Sequence, residues 1–162
     1  METLISSLLD ILTKEFTVMV IAALPIIELR GAIPVGVTLG MSSLHAFITA
    51  FIGSMIPVPF ILFTIRPIFN YFKKTKLFKK LVNRLTDRSL SKSGKIQKYG
   101  AWGLFIFVAI PLPGTGVWTG SLIAVLLNMR FKRAFPAILF GNLVAGLIIT
   151  GLSHGVFNVI IG

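Results

Sequence analysis

Long apolar runs, interrupted by only a few polar residues, make up most of the chain. Residues 16–65 contain just two charged side chains, Glu28 and Arg30, and residues 99–129 and 134–162 contain no Asp, Glu, Lys or Arg. Each run exceeds the ~18 apolar residues that are typical of a membrane-spanning helix. The pattern therefore predicts an all-α integral membrane protein.

The N-terminal residues 1–16 predict an amphipathic helix. One side of it carries Leu4, Leu8, Ile11, Leu12 and Phe16, and the other carries Ser6, Ser7, Asp10, Lys14 and Glu15. A helix with one apolar face and a polar face of mixed charge is typical of a segment that lies along the membrane interface. We expect residues 1–16 to be interfacial rather than spanning.

Two apolar segments are interrupted by proline and glycine. Residues 17–27 would form a helix of ~16 Å, about half of the hydrocarbon core, and residues 28–36 (ELRGAIPVG) follow as a predicted unwound break. In the second segment, residues 100–110 are followed by the break 111–116 (PLPGTG) and by a returning apolar stretch, residues 117–128. Each segment predicts two half-helices joined by irregular backbone.

Two other segments are long enough for complete spans. Residues 44–65 and residues 134–153 each predict one membrane-spanning helix. We therefore expect one transmembrane domain over residues 1–162, with a first repeat at 17–65 and a second at 99–162.

The charge distribution indicates on which side of the membrane the loop between these repeats lies. Only 13% of the residues are charged, about half of what a soluble domain carries, and the net charge of +11 is concentrated in residues 66–98. Excess Lys and Arg beside membrane segments marks the cytoplasmic side. We expect a multi-pass protein of the inner (plasma) membrane with a cytoplasmic loop at 66–98, and no nucleic-acid partner.

Two topologies are compatible with this pattern. If residues 17–41 and 101–128 both cross the membrane, the loop 66–98 and the basic cluster 130–133 lie on opposite sides, which conflicts with the positive-inside bias. If both segments are re-entrant hairpins, both basic clusters are cytoplasmic. Charge favours the second topology.

An internal repeat supports the hairpin topology. Residues 41–54 match residues 129–142 in Met, Ala, Phe and Gly at an offset of 88, and residues 23–25 match residues 109–111 at an offset of 86. The sequence therefore predicts two inverted repeats, each a Pro/Gly-broken re-entrant helical hairpin followed by one transmembrane helix. Inverted repeats with broken helices are typical of secondary transporters.

Glu28 and Arg30 are the first candidates for chemistry. A charge at membrane depth costs several kcal/mol and usually faces a partner or a water-filled cavity. Arg30 would bind an anionic group, and Glu28 would titrate or pair with Arg30. Gly31 and Pro34 belong to the same candidate substrate site. The alternative is an ion pair that only fixes the hairpin tip.

The second break is the other candidate site. Its loop and the helix start behind it offer backbone N–H groups, hydroxyls and a positive helix-dipole end to an anion. Irregular backbone at membrane depth is tolerated where it is buried in protein or lines a cavity. The candidate substrate residues are Pro111, Pro113, Gly114, Thr115, Gly116, Trp118 and Thr119. The alternative is a tight turn whose glycines serve only packing.

The composition offers little for other chemistry. The chain has no Cys and two His. Gly94 and Lys95 match the end of a nucleotide-binding phosphate loop, but that motif needs a glycine at position 89, which is Ser89. We expect no metal, no cofactor, no catalytic residue and no enzymatic activity.

Residues 28–36 (ELRGAIPVG) and 111–120 (PLPGTGVWTG) resemble the small multidrug export protein family of bacteria and archaea. The family name implies efflux of drug-like compounds. Residues 98–111 also resemble the start of the second hairpin in the DedA superfamily, which implies two opposed re-entrant hairpins and a role in recycling polyprenyl-phosphate carriers. That superfamily carries an arginine before this proline, whereas only apolar residues lie between Trp102 and Pro111 here. A phosphate ligand would therefore depend on Arg30 and on the glycine-rich backbone.

Three functions remain in competition. The first is secondary transport, without an NTP site, of a small amphipathic or lipid-linked anion such as a polyprenyl phosphate, bound near the membrane midplane between the two hairpins. The second is proton-coupled efflux of cationic drug-like compounds, with Glu28 as counter-ion. The third is a non-transporting, membrane-organising protein. Membrane lipids are expected partners, and a homodimer is expected because the scaffold is small.

Overall fold

The structure of the protein is a computed structural model that describes residues 2–65, 67–68 and 99–161. Within these residues every regular element is helical, which confirms the all-α prediction for this part of the chain. Apart from residues 67–68, the basic loop predicted at 66–98 lies outside the described residues. Two compact units are present, Met1–Ile56 with Asn142–Gly162, and Pro57–Gly141.

The first unit contains α1 (Glu2–Ala23), α2 (Glu28–Thr38), α3 (Ser43–Met55) and the C-terminal part of α7 (Phe131–Ile161). Helices α1, α2 and α3 pack against one another. No helix end lies at residue 16, where the interfacial segment was predicted to stop, because α1 runs through this position without a break.

Helix α1 ends because of the proline that follows it. Pro25 disfavours the helical conformation of the residue before it, and Leu24–Ile27 forms a turn in which the Leu24 N–H bonds the Ile21 carbonyl at 3.2 Å. The prediction of an unwound segment at residues 28–36 is wrong, since α2 covers these residues and contains Pro34 in its interior. A proline inside a helix removes one hydrogen bond, and packing around α2 offsets that loss.

The core of the first unit explains why α2 holds together despite Pro34. Its buried members are Val18, Ala22, Leu29, Ala32, Ile33, Met41, Ala46 and Ala50. Leu29, Ala32 and Ile33 recur at the i, i+3, i+4 spacing of one helix face, and each is at most 1% exposed. Helix α2 is therefore stabilised by burial of this face more than by its own propensity.

The second unit contains α4 (Pro57–Phe60), which continues as a π-helical turn over Ile61–Ile65, followed by α5 (Ala101–Ala109), α6 (Val117–Leu126) and the N-terminal part of α7. The predicted break at residues 111–116 is confirmed, because the backbone between α5 and α6 is not helical. Pro111 accounts for the end of α5 as Pro25 does for α1.

Two helical stretches in the described residues are long and apolar enough to cross a membrane, Ser43–Ile65 and Phe131–Gly155. They agree with the spans predicted at 44–65 and 134–153. Along α3 the side chains of Leu44, Ile48 and Ile52 are 46–66% exposed. A spacing of four residues aligns them on one helix face. An exposed face made of apolar side chains is typical of a helix surface that contacts lipid.

Candidate substrate site

Glu28 begins α2 and is 7% exposed. Its φ is +52°, a region in which the Cβ crowds the following carbonyl oxygen, so that residues other than glycine are uncommon there. Local strain of this kind is concentrated at functional sites, where the surrounding structure holds it in place. Glu28 therefore combines a buried carboxylate with a strained backbone.

Arg30 lies two positions beyond Glu28 and is half-buried. Its guanidinium interacts electrostatically with the Glu28 carboxylate. A nearby opposite charge favours the ionised form of a buried group and reduces the penalty of burying it. The structure thus brings together the two charged residues that the sequence marked, within a helix rather than by unwinding of the chain.

Gly31 and Pro34 complete the predicted residues of the first site, and both are half-buried. A Cβ added at Gly31 would overlap the side chain of Ile27, so this glycine allows α2 to pack against the preceding turn. Pro34 has no N–H to donate to the Arg30 carbonyl four residues earlier. Both residues shape the backbone around Arg30.

The second predicted site is the loop between α5 and α6. The Thr115 hydroxyl lies 2.7 Å from the Ile110 carbonyl and 2.8 Å from the Leu112 carbonyl, and the Leu112 N–H donates to it at 3.3 Å. The Thr115 N–H also donates to the Leu112 carbonyl at 3.1 Å. Thr115 therefore organises this loop through its own side chain.

The other residues of this loop differ in exposure. Pro113 and Gly114 are exposed at its tip, whereas Pro111 is half-buried and Gly116 is buried. Trp118 and Thr119 are half-buried in the first turn of α6. All seven predicted residues thus lie in the loop or in the helix start behind it.

In both helix pairs, α1 with α2 and α5 with α6, a residue with positive φ stands at the start of the second helix. Gly116 lies 88 residues after Glu28, and its φ is also positive, at +142°. At the same offset, Trp118 corresponds to Arg30. The first pair therefore places a carboxylate and a guanidinium where the second has glycine and an aromatic ring.

The turns that follow α2 and α6 repeat the same hydrogen bonds. After α2, the N–H groups of Leu39, Gly40 and Met41 donate to the carbonyls of Val35, Val37 and Gly36, each at 3.0 Å. After α6, the N–H groups of Leu127, Asn128 and Met129 donate to the carbonyls of Ile123, Val125 and Ala124 at 2.9–3.0 Å. Each donor and each acceptor in the second turn lies 88 residues after the matching residue in the first turn, which is the offset seen in the sequence.

A close helix contact is repeated as well. A Cβ at Gly53 would come within 2.5 Å of the Met19 carbonyl oxygen, and a Cβ at Gly141 would come within 2.8 Å of the Phe105 carbonyl oxygen. The two glycines are 88 residues apart and the two carbonyls 86 residues apart, which are the offsets found in the sequence. In each case glycine permits a helix to approach the backbone of another.

Ser54 and Asn142 form a buried pair that the predicted site did not include. The Asn142 side-chain amide donates to the Ser54 hydroxyl at 2.8 Å, and the two residues are 4% and 0% exposed. The repeat contained the signal for this pair, since residues 41–54 and 129–142 align Ser54 with Asn142.

A second polar contact joins α1 to α3. The Nε2 atom of His45 lies 2.6 Å from the Glu15 carboxylate, and both side chains are partly exposed. Among the described residues, no group of three or more His, Cys, Asp or Glu side chains could hold a metal ion.

These features indicate a membrane protein whose regular elements within the described residues are helical, in which two helix pairs share turn hydrogen bonds and glycine contacts, and in which the first pair carries the buried Glu28 beside the half-buried Arg30. The sequence matches the family described as "Putative small multi-drug export protein" over residues 28–148. Because the match covers well over half of the chain, the protein belongs to this family of export proteins. No curated protein and no solved structure gave a significant match.

Proposed function

We propose that the protein is a secondary transporter that exports a small amphipathic substrate across the plasma membrane without hydrolysing a nucleotide. The observation that carries this proposal is Glu28, a buried carboxylate with φ at +52° beside Arg30, in a chain that belongs to an export family. Ionisable residues in apolar helical segments are rare and usually belong to substrate or proton pathways.

The leading substrate class is an amphipathic or lipid-linked anion such as a polyprenyl phosphate. Arg30 would bind the anionic group, because a guanidinium forms paired, charge-assisted hydrogen bonds with phosphate or carboxylate oxygens. Glu28 would couple this step to a proton or gate it. The loop Ile110–Gly116 and the first turn of α6 would supply further contacts, in place of the arginine that the DedA superfamily carries before this proline.

A cationic drug-like substrate is the second candidate. The family description favours it, and the deep burial of Glu28 fits a carboxylate that serves as counter-ion to a desolvated cation. In this case Arg30 would compete with the substrate for Glu28.

The proposed membrane arrangement is two inverted repeats with re-entrant hairpins and a cytoplasmic loop at residues 66–98. The repeated turns and glycine contacts support the duplication. Helices α2, α5 and α6 have 11, 9 and 10 residues, so each is roughly half as long as the ~20 residues that a full span needs. A homodimer surrounded by lipid would complete the small scaffold.

The substrate class is tested in proteoliposomes with two probes, farnesyl phosphate as a short polyprenyl phosphate and ethidium as a lipophilic cation. We expect Arg30→Ala to reduce farnesyl phosphate transport at least about tenfold, the loss of roughly one strong charged contact, and to spare ethidium. Arg133→Ala removes an exposed guanidinium and is the matched control. Loss of ethidium efflux in Glu28→Gln, with farnesyl phosphate immobile in every variant, would favour the cationic candidate.

Failure of the wild type to move either probe would favour the membrane-organising alternative, and Glu28→Gln would then affect only the yield of oligomer. In a working transporter, Glu28→Gln should abolish movement of the probe that the wild type carries. Asp10→Asn is its matched control, because Asp10 forms an exposed pair with Lys14 at 2.8 Å.

The topology is tested by single-cysteine labelling, for which the chain has no native Cys. Cysteines at Ser91 and Arg130 should both react only from the cytoplasmic side if residues 101–128 are re-entrant. Arg130 is exposed, whereas the neighbouring Phe131 stacks on Phe63 with ring centroids 4.6 Å apart, so Arg130 is the less disruptive position. Labelling from opposite sides would show that residues 101–128 cross the membrane.

A further inference from the structure

Ser54 and Asn142 form a hydrogen bond between two positions that correspond in the internal repeat. They are 88 residues apart, the same offset that relates the turns after α2 and α6, and they are bonded to each other. The Ser54 hydroxyl also donates to the Phe51 carbonyl at 2.9 Å. Both residues lie in candidate membrane spans, and both belong to the first compact unit.

Interhelical adhesion alone does not account for this choice of positions. A hydrogen bond between polar side chains of two spans stabilises their packing at corresponding and at non-corresponding positions alike. Adhesion would therefore be served equally by polar residues at positions that do not correspond. The correspondence of Ser54 with Asn142 is a separate observation that needs its own explanation.

The explanation follows from how inverted repeats change state. In such a transporter one repeat moves against the other around a fixed site, and because the two repeats are equivalent, the opposite state has their conformations interchanged. A contact between residue 54 of one half and its counterpart, residue 142, becomes the same contact after this exchange. Any contact between positions that do not correspond becomes a contact between two other residues.

We propose that the Ser54–Asn142 hydrogen bond is the pivot of the transport cycle, a contact that stays closed in both states while its neighbours change. This inference rests on the proposed transport function. It assigns Ser54 and Asn142 as positioning residues, which act on the helices that carry the site and do not touch the substrate.

A neighbouring contact provides the contrast. A Cβ at Gly146, one turn beyond Asn142, would meet the ring of Phe47, and both residues belong to the first unit. Their counterparts at the offset of 88 are Val58 and Phe135. After the exchange, the contact that corresponds to Phe47–Gly146 would therefore join Phe135 to Val58. We expect the Phe47–Gly146 contact to open and close during the cycle.

The test is to bridge each contact with mercuric ion in a chain that has no other thiol. The variants are Ser54→Cys with Asn142→Cys, and Phe47→Cys with Gly146→Cys, in proteoliposomes loaded with whichever of farnesyl phosphate and ethidium the wild type transports. Mercury-treated wild type is the reagent control. We expect the first bridged variant to retain transport within about twofold, and the second to lose at least about tenfold, because it is locked in one state.

Equal behaviour of the two bridged variants, whether active or inactive, would overturn the pivot. So would loss of transport in the bridged Ser54/Asn142 variant alone. A wild type that transports neither probe would instead overturn the proposed function, so the two failures are distinguishable.

An exchange of the two residues guards against misfolding of the cysteine variants. In Ser54→Asn with Asn142→Ser, a serine at 142 can bond the Leu139 carbonyl as Ser54 bonds that of Phe51, and the amide at 54 can donate to it. We expect this exchanged variant to transport within about twofold of wild type, because swapping the two side chains keeps a hydrogen bond between the same two corresponding positions. Asn142→Ala removes the hydrogen bond and should lower transport, and an equal loss in the exchanged variant would contradict the proposal.

Discussion

Glu28 and Gly116 occupy corresponding positions 88 residues apart, and the backbone of each has a positive φ at the start of the second helix of its pair. Glycine adopts its φ of +142° without steric cost, whereas glutamate at +52° is held against the crowding of its Cβ. Position 28 therefore has the local geometry of a glycine site but carries a buried carboxylate. The proposed transport function accounts for a residue at this position that conformational preference alone would not select.

The strain at position 28 predicts an unusual order of stability. Glu28→Gly and Glu28→Ala both remove the carboxylate, so their difference reports the backbone alone. We expect the glycine variant to be the more stable by about 1 kcal/mol, although alanine is ordinarily the better helix residue. Thermal unfolding of the purified protein in detergent measures this difference. An alanine variant at least as stable as the glycine variant would show that φ is not positive at residue 28.

The turn after each helix pair gives a second prediction. Gly40 has φ at +85°, its counterpart Asn128 has φ at +53°, and nothing lies within 4 Å of a Cβ added at Gly40. Gly40→Ala should therefore cost about 1 kcal/mol from backbone strain alone, and Gly40→Asn should cost clearly less, because asparagine tolerates this region. Equal melting temperatures for the two variants would contradict the assignment. Asn128→Gly, expected to be at least as stable as wild type, is the reciprocal measurement.

The glycine contacts give a third prediction. Gly53→Ala and Gly141→Ala place a Cβ against the backbone oxygens of Met19 and Phe105, and backbone cannot move aside as a flexible side chain can. Each should cost about 2 kcal/mol or more through overpacking. Gly151→Ala and Gly155→Ala, where nothing lies within 4 Å of the new Cβ, are matched controls that should be neutral or stabilising by up to about 1 kcal/mol. Detergent melting curves separate the pairs, and similar costs for all four would be inconsistent with the contacts.

The helix ends show what the sequence can reveal. A proline two residues beyond Ala23 and another two residues beyond Ala109 predict a stop from local sterics, and both helices end there. The spans follow from their length and lack of charge, and the offsets of 86 and 88 recur in the repeated turns and glycine contacts. Information of this kind is local or periodic, so one sequence is sufficient to show it.

The conformation of residues 28–36 was not predictable by the same means. Pro34 and two glycines favour a break, but the loss of one hydrogen bond is small beside the burial of Leu29, Ala32 and Ile33. That burial depends on α1 and α3, which are separate in sequence. The difference between the two offsets reflects a longer second loop, Ile110–Gly116, than the turn Leu24–Ile27.

Some residues of the candidate site and its surroundings can be recognised from the sequence, and others only from the structure. Glu28 and Arg30 stand out because a charge in an apolar run is visible without a structure. Ser54 is one of several hydroxyl residues in such runs, and only the structure shows that its hydroxyl accepts a hydrogen bond from Asn142. The role of Thr115 in closing its own loop depends on backbone geometry that the letters PLPGTG do not specify.

Thr115 gives the last prediction. Its hydroxyl contacts two carbonyls and one N–H group of the loop between α5 and α6, so Thr115→Val leaves the loop with its backbone hydrogen bonds alone, at a cost of about 1 kcal/mol. Thr115→Ser keeps the hydroxyl and should melt near the wild-type temperature. Thr13→Val is the matched control, because the Thr13 hydroxyl bonds only the Leu9 carbonyl within an exposed helix at 2.7 Å, a bond that adds little. Because the loop carries a candidate substrate site, transport of the wild-type probe should fall in Thr115→Val and persist in Thr115→Ser. Wild-type transport and melting in Thr115→Val would show that the loop holds its shape without this side chain.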